Sequence, residues 1–334
     1  MSYVVAVVGA TGAVGREMVR TLEQRKFPIS KLILLASPRS AGTEVPYDGR
    51  MVKVEVLEPS SFEGVDYALF SAGASVSKEF GPIAAKSGAI VIDNSSAWRT
   101  DPDVPLVVPE VNMQAALNRP KGIIANPNCS TIQMVVALKP LYDAAKIKHI
   151  VVSTYQATSG KGHNAVEELR TQTVAFAEGR PIESKVFPAQ IALNLLSDWK
   201  GGPGDYSEEE LKMVFETKKI FGDPSIGVSP TTVRVPVENC HSESVHVVFE
   251  RPMTAAEAKT LLAKAEGVKL FDGPYEPGNH PQPLLVSGTD DVCVGRVRDD
   301  LANPGSLNLW IVADNLRKGA ALNAVQIAER LIRT

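Results

Sequence analysis

Apolar and polar residues alternate along the chain in two ways, which predict buried strands and amphipathic helices. Continuous apolar runs, rich in β-branched residues, predict strands buried on both faces. These runs lie at 3–8, 31–36, 65–70, 89–93, 123–125 and 149–153. A helical period follows at 16–24 and at 130–145, where apolar residues recur on one face. Together these patterns predict an α/β fold.

The second half of the chain carries a more mixed pattern. Residues 231–237 and 243–250 predict two strands that form a hairpin across 238–242, and strands are also expected at 292–297 and 306–313. Ser207 with Glu210, and Thr254 with Glu257, are capping boxes that predict helix starts. An apolar period predicts a terminal helix through Leu331.

A length of 334 residues favours two domains. The patterns predict a Rossmann-type dinucleotide-binding domain at 1–127 with the terminal segment 313–334, and a mixed α/β catalytic domain at 128–312.

Composition narrows the class of protein. A net charge of −3 provides no basic field for nucleic acid or an anionic membrane. No apolar run approaches the about 20 residues of a membrane span, and the N-terminal run is too short for a signal peptide. The 3 cysteines cannot all be paired and match no zinc spacing, so no metal site is expected. A reducing cytoplasm fits this cysteine usage.

A glycine-rich turn follows the first predicted strand. Gly9, Gly12 and Gly15 form a G-x-x-G-x-x-G variant of the dinucleotide fingerprint, and a helix follows directly. Glycines let the backbone approach a pyrophosphate, and the helix N-terminus attracts its charge. The expected contacts lie between residues 9 and 15: Gly9, Thr11, Gly12, Ala13, Val14 and Gly15.

The end of the second strand distinguishes the two nicotinamide cofactors. NAD sites carry an acidic residue there, whereas this chain has Ser37, Arg39 and Ser40. A guanidinium and two hydroxyls suit a 2′-phosphate, so NADP is expected, although Arg39 could be an ordinary surface arginine. Further candidates follow later strands: Ser71, Ala72, Gly73 and Asn94 for the cofactor, and Arg99 for a substrate anion.

Cys129 lies where a strand, a turn and a helix meet. The turn is Asn126-Pro127-Asn128, and the helix starts immediately after it. The positive end of a helix lowers the pKa of a thiol from about 8.5, and its N–H groups could hold an oxyanion. The alternative is a small, buried and inert cysteine.

Other candidate residues have ordinary structural explanations as well as functional ones. Arg234 and His241 near one turn would suit carboxylate binding and proton transfer, although the other four histidines compete for the proton-transfer role. Gln156 could donate an amide hydrogen bond to a substrate carboxylate or could be an ordinary polar loop residue. Glu216 and Lys219 share one helix face, where they could be a surface ion pair or a phosphate site.

These motifs together resemble the aspartate-β-semialdehyde dehydrogenase family over essentially the whole chain. The most specific motif is Asn126-Pro-Asn-Cys-Ser-Thr131 with Gln133. The others are Tyr155-Gln-Ala-Thr-Ser-Gly160, Arg234-Val-Pro-Val with His241, Glu216 with Lys219, and Ser95-Ser-Ala-Trp-Arg99.

The resemblance implies an NADPH-dependent reductive dephosphorylation of L-aspartyl 4-phosphate to L-aspartate 4-semialdehyde by a homodimer, with 128–312 as the catalytic and dimerisation domain. This reaction lies on the route to diaminopimelate and lysine, and to threonine, isoleucine and methionine. Cys129 would form a thioester, with His241 as acid/base and Gln156 beside the substrate. The remaining implied contacts are Arg99, Asn128, Glu216, Lys219 and Arg234 for substrate or phosphate, and Ser159, Gly160 and Asn315 for the cofactor.

Two other functions stay open at this point. An N-acetyl-γ-glutamyl-phosphate reductase would use the same chemistry, but its cysteine motif has Gly-Cys-Tyr character, whereas this chain has Asn128-Cys129-Ser130. A non-catalytic NADP-binding sensor on the same scaffold would not need an activated thiol.

Overall fold

The structure is a computed structural model that describes residues 2–197, 202–274 and 276–333. It divides into two compact units, Met1–Pro127 with Ala320–Thr334, and Asn128–Gly319. The first division falls between the predicted domains at 127 and 128, but the second lies at 319/320 rather than at 312/313. The reason is that Asp314 and Asn315 accept hydrogen bonds from Asn239 Nδ2 and Cys240 N, both at 2.8–2.9 Å, inside the second unit.

The first unit is an α/β sheet domain. Its strands are β1 (Tyr3–Val8), β2 (Ile29–Ala36), β3 (Glu44–Tyr47), β4 (Arg50–Val56), β5 (Tyr67–Phe70), β6 (Ile90–Asp93) and β7 (Ile123–Ala125). Its helices are α1 (Ala13–Gln24), α2 (Ala74–Lys86) and the short α3 (Pro109–Asn112). β1 and β7 have the predicted bounds, whereas β3, β4 and α2 were not predicted.

The strand order of this sheet is β3-β4-β2-β1-β5-β6-β7, and every pair except β3 with β4 is parallel. The order reverses at β1, whose neighbours are β2 and β5. Ligands of open α/β sheets bind at such a reversal, beyond the carboxyl ends of the strands. The unit therefore has the expected dinucleotide-binding topology. The terminal helix packs into its core through Ala324, Val325 and Ala328.

The second unit contains a second sheet and the helices that cover it. Its strands are β8 (Ile147–Gln156), β9 (Leu196–Ser197), β10 (Gly227–Arg234), β11 (His241–Phe249), β12 (Val268–Phe271), β13 (Val292–Asp299) and β14 (Leu307–Ala313). Its helices are α4 (Cys129–Ala145), α5 (His163–Ala177), α6 (Glu208–Phe221), α7 (Ala255–Leu262) and the short α8 (Pro283–Val286). A π-helical turn, Arg317–Ala321, precedes the terminal helix α9 (Leu322–Leu331).

The predicted hairpin between 231–237 and 243–250 is wrong. The strand order is β12-β13-β14-β11-β8-β10-β9, so β8 lies between the two strands that the hairpin would have paired. β10 runs parallel to β8, and β11 runs antiparallel to it. The segment 235–240 therefore crosses the end of β8 instead of turning tightly.

Helix α4 is buried along the sheet of this unit. Ser130 to Leu138 are all buried, and the helix packs against β8, β11, β13 and β14. Because apolar and polar residues of this segment are buried alike, the first half of α4 lies in the core rather than on the surface. Among the described residues, no helix has the length and hydropathy of a membrane span.

Candidate active site

The glycine turn of the first unit is closely packed and has an open helix end. A Cβ on Gly15 would lie 2.1 Å from the Gly9 oxygen, and a Cβ on Gly9 would lie 2.9 Å from the Ala72 nitrogen. Gly12 is the N-cap of α1 and offers no side-chain cap, and the first turn has no acidic residue. The first N–H groups of α1 therefore face outward for an anion, as a pyrophosphate requires.

The predicted 2′-phosphate residues lie beyond β2. Ser37, Arg39 and Ser40 lie in one turn, in which Ser40 N donates to Ser37 O at 2.9 Å, and Ser37 and Arg39 are exposed. Arg39 has no hydrogen-bond or ion-pair partner among the residues that the structure describes. Its guanidinium is therefore available to a phosphate group.

The other candidates of the first unit follow β5 and β6. Ser71 donates to Val8 O at 3.1 Å, which fixes Ser71, Ala72 and Gly73 beside the glycine turn. Asn94 accepts from Asn126 Nδ2 at 2.6 Å. Arg99 is 8% exposed and donates to the carbonyl oxygens of Asn94 and Ser95, at 3.0 and 3.1 Å. Its guanidinium is thus held in one orientation.

Cys129 is the first residue of α4, and Asn128 caps the helix. The Asn128 side-chain oxygen accepts from the N–H groups of Ser130 and Thr131, at 3.0 and 3.4 Å. Cys129 itself is partly exposed. A Cβ on Gly319 would lie 2.8 Å from Cys129 Cβ, so the π-helical turn closes one side of the thiol.

The structure also bears on the N–H groups that were expected to hold an oxyanion near Asn128 and Cys129. The Asn128 N–H donates to Glu216 Oε2 at 2.6 Å and is therefore not available for this role. The carboxylate of Glu216, 1% exposed, thus holds the turn that carries Cys129.

Three of the predicted residues lie side by side across the sheet of the second unit. In the strand register Gln156 of β8 is opposite Arg234 of β10. On its other side β8 pairs with β11, where Tyr155 is opposite Ser242, so the following residues, Gln156 and His241, are also neighbours. Gln156 Nε2 donates to Ser130 Oγ at 2.9 Å, which joins this row to the first turn of α4. We call Arg234, Gln156 and His241 the catalytic row, after Gln156 and His241, which the sequence predicts to be catalytic.

The hydrogen bonds of His241 define its tautomer. Its Nδ1 accepts the Ala157 N–H at 3.0 Å, so the proton of the neutral ring lies on Nε2. Burial, followed by the positive charge of Arg234, lowers the pKa of His241 to about 3, against a smaller opposing effect of Glu209. His241 is therefore neutral at physiological pH and presents an N–H donor. Nε2 is buried and has no partner in the described part of the chain.

The predicted nicotinamide residues of the second unit surround the row. A Cβ on Gly160 would lie 2.9 Å from Arg234 Nη1 and 3.1 Å from His241 Cε1, so a larger residue there would displace the Arg234 guanidinium. Asn315 Nδ2 donates to Ser159 Oγ at 2.9 Å, and Asn315 Oδ1 accepts from Cys240 N at 2.9 Å. Cys240 has a φ of 73°, a left-handed conformation that this bond stabilises.

Helix α6 contributes more to the site than predicted. Glu209 accepts from Asn128 Nδ2 at 2.7 Å and from Gln156 Nε2 at 3.4 Å. Burial opposes ionisation of Glu209, but Lys212, Asn128 and Arg234 together outweigh burial and lower its pKa. Lys219 lies one turn after Glu216, with its ammonium 5.9 Å from the centre of the Phe215 ring.

Glu209 was missed because it lies inside a capping box and looked like a helix-start residue. The available signal was its spacing, since Glu209 and Glu216 are seven residues apart and share a face of α6.

A pocket of about 280 Å³ opens beside Gln156 and Arg234 in the second unit. Lys161 and Lys185 add positive charge to its wall. The remaining lining residues are Val186, Phe187, Pro188, Leu196, Ser197, Thr232 and Val233. The charge suits a small anionic molecule.

The three cysteines differ in their surroundings. Cys240 and Cys293 are buried, and burial raises the pKa of both, that of Cys293 to about 11. Cys129 is the one that is partly exposed. Within the described ranges, no group of three or more His, Cys, Asp or Glu residues could hold a metal ion.

Comparison with known proteins assigns both units to one class. Residues 4–119 match the family model described as semialdehyde dehydrogenase, NAD binding domain, and residues 138–318 match semialdehyde dehydrogenase, dimerisation domain. Fold and site therefore define a semialdehyde dehydrogenase built from a nucleotide-binding and a dimerisation domain.

Individual relatives identify the family within this class. The chain is 52% identical to an aspartate-semialdehyde dehydrogenase of Aquifex aeolicus, covering 100% of this chain and 99% of that one. The crystal structure of aspartate semialdehyde dehydrogenase II of Vibrio cholerae complexed with ASA is 48% identical, with a TM-score of 0.97 and coverage of 100% and 99%. The Candida albicans enzyme with NADP is 25% identical, with a TM-score of 0.77 and 98% of both chains covered. The chain belongs to the aspartate-semialdehyde dehydrogenase family.

Proposed function

We infer that the chain is an NADP-dependent oxidoreductase that reduces L-aspartyl 4-phosphate to L-aspartate 4-semialdehyde and releases phosphate. The observation that carries this function is the catalytic row, bonded through Gln156 to the first turn of the helix that starts at Cys129. The relatives named for this enzyme match the chain over its whole length. The reaction belongs to the biosynthesis of lysine, threonine and methionine.

The first unit fits the cofactor. The uncapped start of α1 offers N–H groups to a pyrophosphate, and Arg39 with Ser37 and Ser40 suits the 2′-phosphate of NADP. The relative crystallised with NADP supports this choice. When bound, NADPH supplies the hydride.

The second unit fits the covalent chemistry. The Cys129 thiolate attacks the acyl carbon, the C–O bond to phosphate breaks, and a thioester remains. Gln156 and Arg234 hold the amino-acid head, because an amide and a guanidinium both donate to a carboxylate. Lys219 takes the phosphate group, whose departing oxygen receives the proton that the reaction consumes.

His241 acts on the oxygen of the reacting carbon. Hydride addition to the thioester carbon places negative charge on this oxygen, and the His241 Nε2–H is the donor that stabilises it. The carbon–sulfur bond then breaks, the aldehyde leaves and the Cys129 thiolate is restored. The tautomer set by Ala157 favours this donor role over the proton transfer expected from sequence.

The oligomer is proposed to be a homodimer in the cytoplasm. The match to a dimerisation domain supports this assembly. The face of β8 opposite the helices exposes Val151 and Tyr155, at 42% and 37%, although β8 is central in its sheet. An exposed apolar face on a central strand is what a partner subunit would cover.

A comparison of two aldehydes tests the proposed reaction. NADP reduction with phosphate is followed with L-aspartate 4-semialdehyde and with N-acetyl-L-glutamate 5-semialdehyde. We expect a kcat/KM at least about 100-fold higher for the former, because the row is built for a free amino-acid head. A preference for the acetylated aldehyde would identify the other reductase, and no turnover of either would favour a sensor.

A further inference from the structure

A second polar row lies one step below the catalytic row, and the proposed mechanism does not use it. Glu243 follows His241 by two residues on β11, so both side chains point to the same face of the sheet. In the register Glu243 is opposite Thr154 of β8 on one side and Ile311 of β14 on the other. Glu243 and Thr154 are fully buried.

Helix α4, which packs on this sheet, carries residues with a matching spacing. Gln133 follows Cys129 by four residues and therefore lies on the same helix face, one turn further along. It is fully buried and close enough to the Glu243 carboxyl group to affect its pKa. One turn of a helix and two residues of a strand span similar lengths. If Cys129 faces the catalytic row, Gln133 therefore faces Glu243.

The buried polar atoms of this second row lack ordinary partners. Both Glu243 oxygens, both Gln133 amide atoms and the Thr154 hydroxyl make no hydrogen bond of normal geometry within the described ranges. Buried polar groups without partners are costly, so native proteins retain few of them. A carboxyl group at this depth needs a neighbour that can pair with it.

The charge state of Glu243 follows from its surroundings. Burial raises its pKa well above the ordinary 4.5, and the Gln133 amide lowers it only in part. The elements packed against it present Thr154, Ile311 and Gln133, and the titratable neighbour on its own strand, His241, is neutral. A protonated carboxyl both donates and accepts, so it can pair with the amide whichever way the amide is turned.

We propose that Glu243 is a positioning residue for Cys129: its buried carboxyl group pairs with Gln133, one helical turn beyond Cys129, and thereby holds the start of α4 at a fixed height above the catalytic row. The role rests on the proposed function, because it matters only if Cys129 is the nucleophile. The pair acts as a tie between helix and sheet at a depth that water does not reach. Displacement of a reacting group by about 1 Å can cost 100-fold in rate.

Thiol reactivity tests the positioning role without any substrate. The rate of Cys129 alkylation by iodoacetamide is measured against pH for the wild type, Glu243→Gln and Glu243→Leu. Glu243→Gln keeps a neutral polar partner and should retain the wild-type profile and kcat. Glu243→Leu removes the partner and should move the midpoint of the profile to higher pH, with kcat lowered roughly 10- to 100-fold at unchanged KM for NADPH.

The same readout separates positioning from mere packing. If the folded Glu243→Leu protein has the same alkylation profile against pH as the wild type, the proposal is overturned. If Glu243→Leu does not fold, Gln133→Leu removes the tie from the helix side and should shift the profile in the same way, whereas an unshifted profile would overturn the proposal. Failure of the assigned reaction would leave this readout unchanged, so the two failures are distinguishable.

The neutral state has its own test. The infrared carbonyl band of a protonated carboxyl group should be present at pH 7 and lost in Glu243→Gln, but kept in Glu250→Gln, a variant at the exposed residue that follows the same strand. A carboxyl group protonated only in the folded state loses stability as pH rises above about 4.5, tenfold in the unfolding equilibrium per pH unit. The thermal midpoint of Glu243→Gln should therefore fall less with rising pH than that of Glu250→Gln. An unchanged band, or equal slopes, would contradict the neutral acid.

Discussion

The starts of α1 and α4 are two versions of one structural feature. Each helix follows a strand and a short turn in the chain, and each has the positive end of its dipole at that turn. α1 begins after Gly12, which offers no side chain to its N–H groups. α4 begins after Asn128, whose side chain accepts from two of them.

The difference shows how the same end can serve two chemical purposes. An uncapped end with glycine leaves its donors for an anion that arrives from solution. A capped end has satisfied its own donors, and Glu216 and Glu209 hold its Asn128 from behind. Such a rigid end keeps a thiolate of its own chain in one place.

Among substitutions at the two helix starts, removal of the Cys129 thiol should lower activity the most. Cys129→Ala should lower kcat roughly 10⁴-fold or more, because the covalent path is lost, and should leave the dissociation constant for NADPH unchanged. Steady-state assays and fluorescence titration measure the two quantities. Cys293→Ala, at a buried position on β13, is the matched control and should keep both. Turnover by Cys129→Ala would refute covalent catalysis.

His241→Asn should come next, with kcat lowered roughly 10²–10⁴-fold. Asparagine can still accept the Ala157 N–H, so the loss reports on the Nε2 donor. Because the pKa of His241 is lowered to about 3, the pH profile of kcat/KM in the wild type should show no imidazole step near 6.5.

The same shift predicts a stability effect of definite sign. His241 is neutral when folded but protonated when unfolded below about 6.5, so its contribution to stability is lost as pH falls from 6.5 towards 3. The thermal midpoint of His241→Asn should fall less steeply in that range. An imidazole step near 6.5 that disappears in the variant would show that His241 is charged there.

Of the substitutions at Cys129, His241 and Gly12, the one that adds a capping side chain to α1 at Gly12 should have the smallest effect. Gly12 has φ −73° and ψ 166°, which any residue can adopt, and a Cβ there would make an ordinary contact at 3.4 Å with the Gly9 oxygen. Gly12→Asp should occupy the N–H groups, repel the pyrophosphate and raise the dissociation constant for NADPH about 10- to 100-fold. Gly12→Ala adds the Cβ without the charge. Equal affinities of the two variants would show that the helix end does not bind the cofactor.

Local parts of this structure could be predicted from sequence because local physics determines them. Strand runs such as β1, the glycine turn and the helix after Asn128 each depend on residues within one short segment. The pairing of β10 and β11 does not, because the strand between them comes from some 70 residues earlier in the chain. A sequence shows the two strands as neighbours, and only the folded sheet shows β8 between them.

Parts of the site were hidden for a different reason. Glu209 and Glu243 look like surface residues in the sequence, since glutamate is rarely buried. Their positions depend on which face of α6 or β11 meets α4, which is a property of packing. Cys129, by contrast, could be recognised from its turn and helix alone.

The shared row of Arg234, Gln156 and His241 constrains how the gene for this chain can change. β8 and β10 contribute their last residues to the row and β11 contributes its first, so all three meet only in one alignment of the strands. A codon gained or lost within β8 would turn Gln156 to the opposite face and leave its neighbours in place. Length variation in related genes should therefore be confined to the loops, and the interior of β8 should keep a constant length.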